Sequence, residues 1–470
     1  MTSLSGLVAR KRATTDEKPA MAERSSGEAS MQLPPLYSRG IAAVALVLLA
    51  MRITLPQGVE VGFVVAALLT PLWLRTVRYY RFMPLLLIVG TLAAGAGIWL
   101  QIANRGDHAV DSGIATSTTV LLIGALLSIG LVLWARTVLS LPMVALFFGV
   151  GLLLGVDPSA AQFATNPYKF GFAIPLAVIG LAAANLSRRW WVELLVVLAL
   201  TGLAATNDAR ATFGLLLLAV VLLVAQLPFF RAGHGGSAFL VSLGVVVVGL
   251  VVYNVGQTLV LSGILGEATT ARSLAQFNAS GSLVLGGRPE LGATLGLIGH
   301  SPWGFGAGVV PSASEVRVAQ EGMSSIGYDP NNGYVTRYMF GGHIELHSVF
   351  GDIWAQTGVV GLLFIAVAAL AMVYGITRNI ADGTAAAVLL YVVAKSLFDL
   401  LFSPFFSAEQ LFVLAIGLVA VPVASRGLPL PGRGQRTYSS TSSMGPSKRA
   451  LERKPALFRA AASESADSRA

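Results

Sequence analysis

Long uninterrupted runs of apolar residues recur along most of this chain, and they restrict its fold more than any other feature. A bilayer core about 30 Å thick is crossed by a helix of roughly 20 apolar residues. Charged residues make up only 12% of the sequence and the mean hydropathy is +0.72, whereas soluble domains carry about 25% charged residues. Because backbone groups in lipid must be hydrogen-bonded within their own segment, we predict an all-α polytopic membrane protein.

The apolar runs predict about twelve transmembrane helices, with one large polar loop between the ninth and the tenth. The first, second and last runs are short. The predicted spans lie near 40–55, 58–74, 82–101, 116–135, 138–155, 170–186, 190–206, 211–230, 238–256, 348–374, 384–402 and 408–424.

The polar segments divide the chain into five parts. Residues 1–39 and 425–470 are too polar to bury a core, so we predict that both are disordered tails. Spans one to nine occupy 40–256, the large loop occupies 257–347, and the last three spans occupy 348–424. We expect no cleavable signal peptide, since the first apolar run begins only after a long polar stretch.

Composition also excludes several kinds of site and partner. The chain has no cysteine, which excludes disulfides, thiolate metal sites and a cysteine nucleophile. The formal charge of +9 does not indicate binding to nucleic acid, because the positive excess lies in the tails and in alternate short loops.

The distribution of lysine and arginine predicts the orientation of the chain. With both termini in the cytoplasm, the basic tails and most arginines of the short loops fall inside, and the large loop is extracytoplasmic. The loop arginines placed inside are Arg75, Arg78, Arg81, Arg136, Arg188, Arg189, Arg231 and Arg378.

Two cations fall on the predicted outer side, against the general preference of lysine and arginine for the cytoplasmic side. Arg210 opens the eighth span, and Lys169 precedes the sixth. A solvated arginine in a short loop is the alternative interpretation for Arg210, and a side chain that snorkels to the interface is the alternative for Lys169.

One ionisable pair lies inside the eleventh span. Lys395 and Asp399 are four residues apart, so they can neutralise each other on one helix face. Because ionisable groups in membrane helices face a bundle interior or a polar cavity, we favour a structural ion pair, with a catalytic pair as the alternative.

The large loop carries most of the ionisable residues outside the tails. Arg288 follows two glycines, and the segment after it predicts a short helix that ends at His300, Ser301 and Pro302. The glycine-rich turn that follows exposes amides that can bind anions, but the spacing is weak evidence for phosphate binding, and the segment lacks the Gly-Lys-Ser/Thr of a P-loop.

Two histidines lie just before the tenth span. His343 and His347 are four residues apart, a spacing that can present two zinc ligands on one helix face. The segment is not H-E-x-x-H, because Glu345 lies midway between the two histidines, and no further ligand set is spaced nearby, so we expect no metal site. A general base and a polar cap at the start of a helix remain open as alternatives.

Three segments in this order carry a resemblance to a known family. They are the arginine that opens a span (Arg210), a Gly-Arg followed by His-x-Pro-x-Gly (287–304), and a histidine eleven residues before Gly-x-x-Gly (347–361). Over roughly 165–375 the chain resembles the O-antigen ligase and O-antigen polymerase superfamily of bacterial envelope enzymes. It has Ser348, Gln356 and Ala209 where that family usually has asparagine, an acidic residue and serine.

The resemblance implies a GT-C-like membrane enzyme of surface polysaccharide biosynthesis in the bacterial cytoplasmic (inner) membrane. It implies inverting, metal-independent glycosyl transfer, without a cofactor, from an undecaprenyl-diphosphate carrier to a hydroxyl of a glycan, lipid or protein acceptor on the outer face. Arg210 and Arg288 would bind the diphosphate, and His347 would be the catalytic base. The accessory candidates are His300, His343 and Lys169.

Two other functions compete with this hypothesis. About twelve spans are common in transporters, including flippases of lipid-linked sugars, but the chain shows no internal repeat and its spans are almost uniformly apolar. A peptidoglycan-type glycan polymerase is the second rival, and the position of the large loop favours the O-antigen type. The motifs do not distinguish a ligase from a polymerase.

Overall fold

The computed structural model describes residues 35–226 and 288–423, together with isolated positions between 243 and 274. Apart from those positions, the predicted ninth span and the predicted loop segment 257–287 lie outside the described residues, as do most of the two predicted tails. Within the two described ranges the chain is mostly α-helical, and its only extended pairings are isolated bridges.

Ten α-helices lie in residues 35–226. They are α1 (Pro35–Ala50), α2 (Val61–Leu68), α3 (Thr70–Val77), α4 (Met83–Ala103), α5 (Ser112–Val138), α6 (Leu141–Leu154), α7 (Ala161–Thr165), α8 (Ala173–Leu186), α9 (Trp190–Thr206) and α10 (Arg210–Ala225).

Five α-helices lie in residues 288–423. They are α11 (Glu290–His300), α12 (Ala313–Ser324), α13 (Val349–Asp382), α14 (Ala387–Phe402) and α15 (Phe405–Val419). Two π-helical turns, Tyr168–Phe172 and Tyr334–Met339, lie before α8 and α13 respectively.

Four helical segments are long and apolar enough to cross a membrane: Met83–Gly106, Ser112–Val138, Tyr168–Leu186 and Val349–Asp382. Five shorter apolar helices accompany them: Leu36–Ala50, Leu141–Leu154, Trp190–Thr206, Arg210–Ala225 and Phe405–Val419. The protein is therefore a mostly helical membrane protein. The count of twelve spans and the extent of the large loop remain predictions.

The described helices depart from the predicted spans at two places near the start of the chain. Helix α1 begins at Pro35, inside the predicted N-terminal tail. The predicted span 58–74 is two short helices, α2 and α3, which meet at Leu69 and Thr70. The break precedes Pro71, whose ring disfavours helical backbone in the residue before it and which has no N–H to donate.

Several helices and the large loop meet at one end of the bundle, which we call the loop end. There the amide of Asp111, before α5, donates to the carbonyl of Gly308 at 2.9 Å. The amide of Phe405, at the start of α15, donates to the carboxylate of Asp352 in α13, also at 2.9 Å. The first bond joins the described part of the loop to the start of α5, and the second joins α13 to α15.

The loop also has a small hydrophobic core of its own. Buried side chains of α11, α12 and the second π-helical turn pack together, among them Leu297, Met323 and Met339. Phe305 and Trp354 belong to the same cluster, and their rings meet edge to face at 5.7 Å. Since Trp354 lies in α13, this core continues into the membrane helix.

The backbone of α13 is interrupted where the loop crosses it. Gly358 has φ 68° and ψ −153°, so the helical hydrogen-bond ladder breaks at this residue. The carbonyl of Ala355 accepts two hydrogen bonds from the loop, from Phe305 N at 2.9 Å and from Gly306 N at 3.0 Å. Because unpaired backbone groups are costly in a membrane protein, these loop amides stabilise the interruption. They are therefore engaged in the fold, and the structure gives no support to an anion cradle at this turn.

Gly304 makes the close approach between the loop and α13. It has φ +81°, and an added Cβ would lie 2.5 Å from the Trp354 carbonyl oxygen. We predict that Gly304→Ala lowers the free energy of unfolding by about 2 kcal/mol or more, because it combines a left-handed backbone with a clash. Thermal denaturation of the purified protein in detergent, followed by tryptophan fluorescence, measures this change.

Gly299→Ala is the matched control. Gly299 lies near the end of α11 and a Cβ there would meet nothing within 4 Å, so this change is expected to be neutral or slightly stabilising, as for glycine in a helix. Equal melting temperatures for the two variants would contradict the role given to Gly304.

Candidate functional site

The backbone around His347 is held in a fixed conformation by two hydrogen-bonding side chains. His347 itself has φ 51°, a left-handed conformation that is uncommon for residues other than glycine. The next residue, Ser348, caps α13 by accepting a hydrogen bond from Gly351 N at 3.0 Å. Asp352 accepts from Leu346 N at 2.7 Å and from Phe405 N at 2.9 Å. The turn before α13 is thus tied both to its own helix and to α15.

The imidazole of His347 is buried and lies beside a carboxylate. Its side chain is 8% exposed, and its ring lies 4.6 Å from the ring of Tyr338. Nε2 is 3.3 Å from Glu345 Oε1, but the directions do not suit a hydrogen bond, and Nε2 has no partner among the described residues. Nε2 can therefore make a hydrogen bond with a ligand.

Glu345 lies between two imidazoles. Its second oxygen, Oε2, is 3.2 Å from His343 Nε2. The hydrogen bond with Glu345 raises the pKa of His343, opposed by desolvation and assisted by the charges of Glu345, Asp352 and Asp111. His343 is the more exposed histidine, with 34% of its side chain accessible.

Two tyrosines connect this histidine pair to the beginning of α11. The Tyr334 hydroxyl donates a hydrogen bond to Glu290, and burial followed by the charge of Glu290 raises the pKa of Tyr334. Burial also raises the pKa of Tyr338, as do the charges of Glu345 and Glu290, whereas the charge of Arg288 lowers it. The charge of Arg288 therefore reaches the Tyr338 hydroxyl. We call Arg288, Tyr338, Glu345 and His347 the loop-end cluster.

The other predicted arginine belongs to a second group. Arg210 Nε lies 3.9 Å from one carboxylate oxygen of Asp208, and Lys169 Nζ lies 3.9 Å from the other. The two loops that carry these residues are joined by a hydrogen bond of 2.8 Å from the Asn166 side chain to the Asn207 carbonyl. The structure thus brings Arg210 and Lys169 together, through an aspartate to which the sequence analysis gave no role.

Lys395 and Asp399, inside α14, have the geometry of a structural ion pair. Lys395 Nζ lies 2.5 Å from both carboxylate oxygens of Asp399. The Ser403 hydroxyl also donates to Asp399. Helix α14 packs against α10, which begins at Arg210, and against α13, which follows His347. The Lys395–Asp399 pair therefore lies on the helix that contacts both.

His300 lies apart from the loop-end cluster. It is exposed at the last position of α11, whereas Arg288 precedes the first position of that helix. Eleven residues of α-helix are about 16 Å long, so the short helix that the sequence predicted separates the two side chains. The accessory role of His300 remains a prediction.

Sequence reasoning missed the tyrosines of the cluster. Tyr334 and Tyr338 are four residues apart, a spacing that resembles an ordinary helix face. Nothing in the pattern indicates that both rings lie near His347, which is thirteen and nine residues further on. Among the described residues, no three His, Asp or Glu side chains are grouped so as to hold a metal ion.

Asp352 offers a test of how the His347 turn is held. In Asp352→Asn, the amide nitrogen cannot accept a hydrogen bond, so either Leu346 N or Phe405 N is left without its partner. A buried donor without a partner costs about 1–3 kcal/mol, and we expect the melting temperature in detergent to fall accordingly. Asp382→Asn, at the exposed end of the same helix, is the control and should have little effect.

The His343–Glu345 pair predicts a pH-dependent contribution to stability. Because the folded state raises the pKa of His343, the pair stabilises the protein below the ordinary histidine pKa, and this contribution is lost as the pH rises through the folded-state value. The effect is a few tenths of a kcal/mol, because solvent screens a partly exposed pair. Wild-type protein should melt above His343→Gln near pH 5.5, with the difference vanishing near pH 9; a constant difference would contradict the pairing.

Comparisons with known proteins supply no relative for this chain: no family model matches it, and no curated protein or solved structure matches it significantly.

Proposed function

We propose that the chain is a glycosyltransferase of the O-antigen ligase or polymerase type. It transfers a glycan from an undecaprenyl-diphosphate carrier to an acceptor hydroxyl during surface polysaccharide biosynthesis. In this proposal the protein lies in the bacterial cytoplasmic membrane with both termini in the cytoplasm, and the loop end faces outward.

The observation that carries the proposal is the proximity of a cation, a carboxylate and a histidine at the loop end. Arg288 and His347 are far apart in sequence, yet the charge of Arg288 lowers the pKa of Tyr338, and the Tyr338 ring lies 4.6 Å from the His347 ring. Glu345 lies beside the same imidazole, with Oε1 3.3 Å from Nε2. A cation for a phosphate group and a base for a hydroxyl are the two groups that metal-independent transfer from a lipid diphosphate requires.

The proposed reaction follows from these positions. The acceptor hydroxyl attacks the anomeric carbon, and His347 takes the hydroxyl proton while the bond from that carbon to the phosphate oxygen breaks. Glu345 stabilises the imidazolium that forms, because it is an adjacent opposite charge. The diphosphate leaves with the bonding electron pair, and the planar guanidinium of Arg288 binds its oxygens and stabilises the charge that develops there.

Arg210 and Lys169 form the second cationic part of the proposal. The two cations lie beside the same carboxylate, that of Asp208. Two cations at the mouth of α10 attract an anionic lipid headgroup. Their role in this proposal is to capture the diphosphate carrier rather than to act on the acceptor.

The chemistry is tested by two substitutions and a matched control. We expect His347→Ala to reduce transfer by about 100-fold or more, the usual contribution of a general base, and Arg288→Ala to reduce it by a similar factor through loss of leaving-group stabilisation. Arg317→Ala removes an exposed arginine of α12 and should leave transfer unchanged.

The assay uses lipid-linked glycan extracted from a strain that lacks this protein, incubated with membranes that contain each variant at equal level. Wild-type product yields from well-inserted His347→Ala would exclude the general-base role. In the same deletion strain, single repeat units left on the lipid indicate a polymerase, and long chains stranded on the lipid indicate a ligase. If neither pool changes, the glycan hypothesis fails.

A further inference from the structure

A cavity of about 320 Å³ opens at the loop end, next to the histidine pair. Sites for small molecules occupy about 300–1,000 Å³, so this cavity is large enough for one. Its walls come from α5, from the start of α15, from the segment between α1 and α2, and from the residues before α13. His343 and Glu345 form part of the last wall.

The cavity lining includes the ion pair of Arg52 and Glu60, and each of these side chains has an atom without a hydrogen-bond partner among the described residues. Arg52 Nε lies 3.4 Å from Glu60 Oε1, and neither Arg52 Nε nor Glu60 Oε2 has a hydrogen-bond partner among the described residues. Glu60 is only 6% exposed. A buried carboxylate that lacks part of its hydrogen bonding is costly, and a hydroxyl donor brought in by a ligand would lower that cost.

The charge of the lining argues against an anionic ligand. Three carboxylates line the cavity, those of Glu60, Glu345 and Asp352, against the guanidinium of Arg52 and the imidazole of His343. A phosphate group would meet more negative than positive charge here, so the diphosphate carrier does not suit this cavity. A neutral ligand with many hydroxyls avoids that repulsion.

The remaining lining combines hydroxyls with an aromatic surface. Ser117 and Thr118 of α5 line the cavity, as do Phe405 and Phe406 at the start of α15. The Ser117 and Thr118 hydroxyls donate to backbone carbonyls of α5, so their oxygens remain able to accept a hydrogen bond. Phe405 is only 2% exposed, so the accessible ring is that of Phe406. The Phe406 ring is 53% exposed. A sugar has hydroxyl edges and apolar C–H faces, and it therefore suits a wall in which hydrogen-bonding groups adjoin an accessible ring.

We propose that this cavity binds the acceptor sugar of the transfer reaction, an inference that rests on the proposed function. Glu345 faces His343 at the cavity and approaches His347 Nε2 with its other oxygen. An acceptor in the cavity therefore lies beside the carboxylate that supports the candidate base. Arg288 is not part of the cavity lining, so the group proposed to bind the diphosphate lies outside the acceptor site.

The test fills the cavity without changing the loop-end cluster. Thr118→Phe places a ring in the cavity, and Thr116→Phe places the same ring on an exposed position of the same helix, outside the lining. The probe is the reducing oligosaccharide released by mild acid from the surface glycan of the producing organism. Its binding to purified protein in nanodiscs is measured by saturation-transfer NMR without any donor.

We expect Thr118→Phe to weaken oligosaccharide binding by about tenfold or more, through loss of the space and contacts of a small-molecule site, and Thr116→Phe to bind as the wild type does. Phe406→Ala should also weaken binding, by severalfold, because stacking on the ring is lost. Equal binding by the wild type and Thr118→Phe would overturn the proposal, as would binding only of the detergent or lipid components of the sample.

Transfer kinetics separate failure of this proposal from failure of the proposed function. If both hold, Thr118→Phe raises KM for the acceptor and leaves KM for the lipid-linked donor unchanged. If Arg288→Ala abolishes transfer but Thr118→Phe leaves the acceptor KM unchanged, the cavity assignment is wrong and the function stands. If oligosaccharide binding depends on the cavity but no variant or wild-type protein transfers glycan, the sugar site stands and the proposed function is wrong.

Discussion

The arrangement of the loop end depends on the hydrogen bonds between the loop and the interrupted helix α13. An interruption in a membrane helix is stable only if other protein groups satisfy the backbone, and the amides of Phe305 and Gly306 do so at the carbonyl of Ala355. The same contact holds the loop on the helix that follows His347. The position of the loop-end cluster and the conformation of the membrane helix are therefore determined together.

Hydropathy predicted the helices because burial in lipid constrains every residue of a span. Most predicted spans in the described ranges coincide with helices, and the largest local difference occurs before Pro71, where a proline outweighs an apolar run. The interruption at Gly358 was not predicted, since Gly-x-x-Gly is equally typical of close helix packing. The contact between the loop and α13 distinguishes an interrupted helix from a closely packed one, and the sequence does not reveal that contact.

The candidate site was predictable in its polar residues and not in its contacts. Arg288, His343 and His347 attract attention because ionisable residues are rare in this sequence, but spacing alone cannot show that the Tyr338 ring lies against the His347 ring. The accessory role of His300 remains a prediction, and the structure places this residue at the far end of α11 from Arg288. Arg52 and Glu60, which line the cavity, fall inside the predicted spans 40–55 and 58–74, whereas the structure places both in the connection between α1 and α2.

The position of Glu345 has a consequence for the two histidines that share it. Its Oε2 lies 3.2 Å from His343 Nε2 and its Oε1 lies 3.3 Å from His347 Nε2, so one side chain separates the ring at the cavity from the buried ring. A ligand hydroxyl that displaces Glu345 from His343 would turn the carboxylate, and the same turn would move the oxygen beside His347. Occupation of the cavity would in this way reach the buried imidazole through the position of one carboxylate, before any bond is made or broken.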